Sequence, residues 1–127
     1  MPIPASWSGP LLSVLRIVAG LAFLHHGTSK FFSLPPFPMP LTPLLQAAGA
    51  IELIGGALLV IGLFTRPVAF IASGMSAVGY FMVHAPNGFY PSVNGGEAIL
   101  LYAFIFLYLA AAGAGPWSVD AARTRTA

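Results

Sequence analysis

Four apolar runs of about twenty residues, the length a helix needs to cross a bilayer, take up most of this chain and leave it few folds to choose from. They lie at residues 11–32, 43–64, 67–84 and 95–113. Only 6% of the chain is Asp, Glu, Lys or Arg, against about 25% in a soluble domain. The mean hydropathy is +0.87, and a water-facing surface cannot be assembled from so few charges. In lipid, every backbone N–H and C=O must be satisfied within the protein, so long apolar runs of this kind become helices. The expectation is an all-α integral membrane bundle of four transmembrane helices, formed as one domain over residues 1–127. The first ten residues, MPIPASWSGP, carry no Lys or Arg. They lack the basic start of a signal peptide, so the first span is expected to be retained.

Local signals set the boundaries. Thr42 before Pro43 reads as an N-cap with proline at the first helical position, and Thr65-Arg66-Pro67 reads as a tight turn. Asn94 with Glu97 three residues on has the spacing of a capping box. Pro35, Pro36, Pro38 and Pro40 make the first connection non-helical and extended. Arg66, Arg123 and Arg125 fall on the side of the N-terminus and Lys30 on the other, so the positive-inside rule places both termini in the cytoplasm. Trp7 and Trp117 then sit at one interface as an aromatic belt.

With net charge +2 and no clustered basic face, nucleic acid is not expected as a partner. The absence of cysteine excludes thiol chemistry and thiolate metal sites, and no metal is expected. Any redox role must pass electrons through a bound cofactor or a partner. What remains is a small set of polar groups at depths where polarity is expensive, each a functional candidate. At ~100° per residue, Arg16, Gly20, Phe23, Gly27 and Lys30 form one stripe, with His26 beside it and His25 nearly opposite. Glu52, Gly55, Gly56 and Leu59 share a face of the second span. Ser73, Ser76, Ala77, Tyr80 and His84 do so on the third, and Glu97, Leu101, Phe104 and Tyr108 on the fourth. Together they describe a bundle with a polar pocket in the half away from the termini. Simpler readings stand beside that one. Glu97 would serve as a helix cap, Lys30 would snorkel to the interface, and His84 would be a solvated interfacial histidine. Glu52 would be half of a structural ion pair with Arg16 or with a histidine.

Several stretches, taken in order, resemble the DoxX family of small four-span bacterial membrane proteins. RIVAGLAFLHHGTSKF carries an Arg, Gly and His-Gly-x-x-Lys-Phe pattern at Arg16, Gly20, His26, Gly27, Lys30 and Phe31. ELIGGALLVIGLFTR follows with Glu52, paired glycines and Gly-Leu-x-Thr-Arg. HAPNGFYPSVNGGEAILL places His84, Gly88, Phe89, Gly96 and Glu97, and GAGPWSVDAA ends the match at Gly113, Gly115, Ser118 and Asp120. The resemblance implies a multi-pass protein of the bacterial cytoplasmic (inner) membrane linked to redox or sulfur metabolism. Members are connected with thiosulfate:quinone oxidoreductase, with sulfurtransferases and superoxide-detoxifying proteins, and with maturation of other redox enzymes.

The expected function is therefore a membrane subunit of a redox system. It would bind a quinone, or a similar lipophilic small molecule, in the outer half of the bundle and work with a partner oxidoreductase or sulfur-metabolism protein. Glu52 and His26 are the candidate catalytic residues, exchanging protons with the bound ring. Arg16, Lys30, Tyr80, His84 and Glu97 are the candidate ligand-binding groups, with His26, Lys30, Tyr80 and His84 supplying donors to quinone carbonyls and Arg16 orienting Glu52. No covalent cofactor is expected. A b-type haem bridged by His26 and His84 is a minor alternative. Two other classes stay open: a non-catalytic anchor or assembly factor, and a small-solute permease, which at this length would need to form a homo-oligomer.

Overall fold

The computed structural model describes residues 2–126, with side chains through Thr124; the Arg125 side chain counted above for orientation lies outside the described residues. Helix α1 runs Ser8–Phe32, α2 Pro43–Ile61 and α3 Thr65–Gly79, the last extended by a five-residue π-helical turn at Tyr80–His84. One helical turn, α4 (Pro91–Asn94), precedes α5 (Glu97–Ala112), and α6 (Val119–Thr126) closes the chain. There is no strand among the described residues.

The bundle is two helical hairpins, α1 with α2 and α3 with α5, joined through α2 and α3. Its surface is inverted relative to a soluble protein. Val18, Ile54, Phe70, Phe81 and Phe104 are exposed, while Ser13, Arg16, Glu52, Ser73, Ser76 and Asn94 are buried. An apolar outside over a polar inside is what a lipid solvent selects. Three stretches, Ala5–Phe32, Pro43–Ile61 and Thr65–Asn87, are long and apolar enough to cross a membrane, whereas α5 has 16 residues and falls short of that length.

Glycine sets the closeness of the first hairpin. A methyl group added at Gly27 would lie 2.5 Å from the Leu53 backbone nitrogen, and one at Gly56 would lie 2.6 Å from the Leu24 Cα. The two backbones are thus in direct contact, as small residues permit in membrane helices. The second hairpin is tied by Ser73, whose hydroxyl donates to the Ala103 carbonyl at 2.7 Å. Between the hairpins lies a core of Ala19, Phe23, Leu59, Ala69, Ala72, Phe106 and Leu109, with the Phe23 and Phe106 rings edge to face at 5.0 Å.

Several boundaries differ from those the sequence suggests. Thr42 does cap α2, its hydroxyl accepting the Leu45 N–H at 3.2 Å. The reversal between α2 and α3, however, comes three residues before Thr65-Arg66-Pro67. Gly62 ends α2 with φ +73° and Phe64 adopts φ +52°, while Thr65, Arg66 and Pro67 form the first turn of α3, where proline lacks only an N–H with no helical partner. Asn94 and Glu97 form no capping box either. Asn94 ends α4, and its side-chain oxygen accepts the Gly96 N–H at 2.7 Å, so α5 opens at Glu97 with Gly96 as its N-cap.

The start of α1 and the segment after α5 lie at one end of the bundle, locked there by a polar knot. Ser13 donates to the Ala114 carbonyl at 3.2 Å and accepts the Trp117 N–H at 3.0 Å. Asp120 accepts the N–H groups of Phe64 and Thr65, each at 2.9 Å, capping α3 from outside its own segment. Burial alone would raise the Asp120 carboxyl, but these two N–H donors and the nearby Arg123 charge hold it below its ordinary value.

Candidate functional site

At the end of the bundle opposite the termini, α1 and α2 bring Lys30 and Glu52 together. The Lys30 ammonium donates to a Glu52 carboxylate oxygen at 2.6 Å, and each side chain is only 8% exposed. The hairpin register forces this meeting: Gly27 contacts Leu53 and Gly49 contacts Lys30, so the last turns of α1 run beside Glu52. Phe37, from the Pro-rich connection, places its ring 5.2 Å from the Lys30 nitrogen as a cation–π roof. Lys30 therefore does not snorkel outward; it turns into the bundle because a carboxylate is there to receive it.

Arg16 is not the partner of Glu52. It is 1% exposed and belongs to the knot at the other end. Its Nε donates to the Leu59 carbonyl at 2.8 Å. One terminal nitrogen donates to Ala114, and the other to Trp117 at 2.7 Å and to Val60 at 3.4 Å. The reason is the antiparallel register: Arg16 and Lys30 are fourteen residues apart, about 21 Å along a helix, and Glu52 lies level with the latter.

His26 is half-buried and faces the second hairpin, its ring 6.1 Å from that of Tyr102 on α5, which in turn stacks on Phe106 at 5.9 Å. His25 is exposed, with its ring 4.3 Å from that of His26. Tyr80 and His84 form a separate cluster around buried Asn94. The Asn94 amide donates to the Tyr80 hydroxyl at 3.1 Å and to the Gly88 carbonyl at 3.0 Å, and the His84 Nδ1 lies 3.3 Å from the Asn94 carbonyl. Among the described residues, no hydrogen bond or ion pair joins this cluster to Lys30 and Glu52. Glu97 stands exposed at the start of α5. The polar groups of the half away from the termini are thus two clusters, one per hairpin, with His26 and Tyr102 facing each other across the gap.

An apolar groove of 290 Å³ lies between α2 and α3, lined by Phe23, Ile51, Ile54, Gly55, Val68 and Ala72 among others. Ile51 adjoins Glu52 in the chain, and Phe23 lies one helical turn below His26. A second groove, of 220 Å³, runs between α3 and α5 and includes Ser73 and Tyr80. The predicted inward face of α5 needs correction. Leu101, Phe104 and Tyr108 are exposed, and Ala103, Phe106 and Leu109 face the core. That helix is apolar on every side, so periodicity could not orient it. Phe37, Asn94 and Tyr102 were missed as site residues. A lone aromatic among the prolines at 35–40, and an amide beside paired glycines, were the available signals.

The DoxX family profile matches residues 11–85. Two proteins of Haemophilus influenzae, both described as uncharacterized, are similar over most of their length. One is 44% identical, covering 86% of this chain and 87% of that protein; the other is 31% identical, covering 89% and 83%. No solved structure matches.

Proposed function

The chain belongs to the DoxX family of membrane proteins, and from that premise we propose that it is a membrane subunit of a redox system, holding a quinone or similar lipophilic molecule in its outer half. The observation that carries this reading is the Lys30–Glu52 pair, buried with each side chain 8% exposed, while Ile51, next to Glu52 in the chain, lines an apolar groove between helices. A quinone matches such a place: its ring needs donors and protons, and its tail needs an apolar furrow open to lipid. Lys30 and His26 would donate to a carbonyl oxygen, and Glu52 would pass protons to the reduced ring. Reduction takes two electrons with the two protons, and a partner oxidoreductase would supply those electrons. Tyr80 and His84, bound to Asn94, would shape the facing wall. Arg16 is left to hold the opposite end together.

The test is purification in mild detergent followed by organic extraction. A quinone should be recovered near one per chain, and Glu52→Gln should reduce it about tenfold, the worth of one charge-assisted hydrogen bond. Lys30→Met with Glu52→Gln removes the pair without stranding either charge. Undiminished quinone in that double variant would take both residues out of the site. An empty protein holding a stoichiometric soluble enzyme would favour the anchor reading, which the closed geometry of the ion pair itself supports.

We also propose that α5 completes a fourth crossing beside α3, with both termini in the cytoplasm. Single cysteines at Ser33 and Ser92 should then react with an impermeant thiol reagent in intact cells, and one at Thr124 should not. Labelling in the reverse pattern would invert the orientation.

A further inference from the structure

At the end of the bundle where α1 begins and α6 lies, a cleft of 790 Å³ opens between the start of α3, the segment after α5, and α6. Arg66 and Arg123 both line it, with Thr65, Thr124 and the exposed ring of Phe64. The two guanidinium groups are held in place by different means. The Arg66 Nε donates to the Ala110 carbonyl at 2.9 Å, and the Arg123 guanidinium carbon lies 5.3 Å from the Phe64 ring centroid. Asp120, the one carboxylate among the described residues lining the cleft, receives the N–H groups of Phe64 and Thr65 and also feels the Arg123 charge. Trp7 and Trp117 are exposed at this same end, the level at which aromatic side chains meet lipid headgroups. Phe70, one turn along α3 from Arg66, is 65% exposed and continues the surface toward the hydrocarbon.

We propose that this cleft binds the phosphate of an anionic phospholipid, its acyl chains running down past Phe70. Arginine forks match phosphate oxygens two at a time, and basic pockets between membrane helices recognise anionic headgroups in this way. A soluble phosphate would find the same guanidinium groups but would gain nothing from the exposed aromatic surface beneath them.

Native mass spectrometry from a neutral detergent, with phosphatidylglycerol or phosphatidylcholine added in equal amounts, tests this directly. Phosphatidylglycerol should be retained about thirtyfold more tightly, the combined effect of two interfacial arginines. Arg66→Gln with Arg123→Gln should erase that preference. Added salt should erode it in the unaltered protein, because exposed charges are screened, and this measurement does not depend on the variant folding. Equal retention of the two lipids, a preference that survives the double substitution, or one indifferent to salt would each overturn the proposal. Displacement of the lipid by inorganic phosphate at an ionic strength where chloride leaves it bound would reassign the cleft to a soluble anion and overturn it as well.

Discussion

Arg16→Met should destabilise the protein by about 3–5 kcal/mol, and adding Glu52→Gln should restore none of it. The guanidinium is the hub of the terminal knot. It serves carbonyls of Leu59 and Val60 at the end of α2, and of Ala114 and Trp117 in the segment after α5. These acceptors belong to helix ends and a connecting loop, where no helical N–H reaches them. Methionine fills much of the volume but donates nothing, so several carbonyls lose their partner at once. Arg16→Lys should recover only part of the loss, because one ammonium cannot reproduce the planar fork. Thermal melting in mild detergent gives the magnitude, and limited proteolysis after Ala112 reports whether the C-terminal segment detaches first. Rescue of Arg16→Met by Glu52→Gln would reinstate the Arg16–Glu52 pair and contradict the geometry.

Gly56→Leu should cost about 3 kcal/mol or more through overpacking, while the neighbouring Gly55→Ala should cost under about 0.5 kcal/mol, as a substitution that strains nothing. The contrast is the informative part. Even the first added carbon at residue 56 would sit 2.6 Å from the Leu24 Cα and 2.7 Å from its nitrogen. Backbone atoms of α1 cannot step aside without separating the hairpin, and that would pull Lys30 from Glu52. At residue 55 the nearest atoms are Val68 Cγ1 at 3.6 Å and Phe23 Cε2 at 3.7 Å, ordinary contacts across the α2–α3 groove. Melting curves of the two variants, measured side by side, check the prediction. Equal stability would mean that the α1–α2 crossing is not set by Gly56.

The helices and three of their four faces were legible in the sequence. Arg16, Gly20, Phe23 and Gly27 are buried along α1. Glu52, Gly55, Gly56 and Leu59 are buried on α2, and Ser73 and Ser76 on α3. In each case small or polar residues stand out against an apolar background, and a polar side chain facing lipid is expensive. The fourth face failed for the same reason: α5 has nothing polar between Glu97 and Tyr102, so its sequence does not say which side meets lipid. The terminal motif Gly-x-Gly-x-x-Ser-x-Asp was visible as a pattern but not as a device. Its use in capping α3 depends on contacts 55 and 56 residues apart in the chain, and its use in seating Ser13 and Arg16 on contacts about a hundred apart.

Composition and hydropathy alone determined that this protein is helical, that it belongs in a bilayer, and that its few charges must find partners inside. The tertiary structure decided which partners. From sequence the expected ion-pair partners of Glu52 were Arg16 or a histidine, and only the antiparallel register of α1 and α2 brings Lys30 to it instead. That register is set by where Gly20, Gly27 and Gly56 let two backbones touch. Close contact of this kind depends on the shapes of both helices together, and neither stretch of sequence specifies it alone.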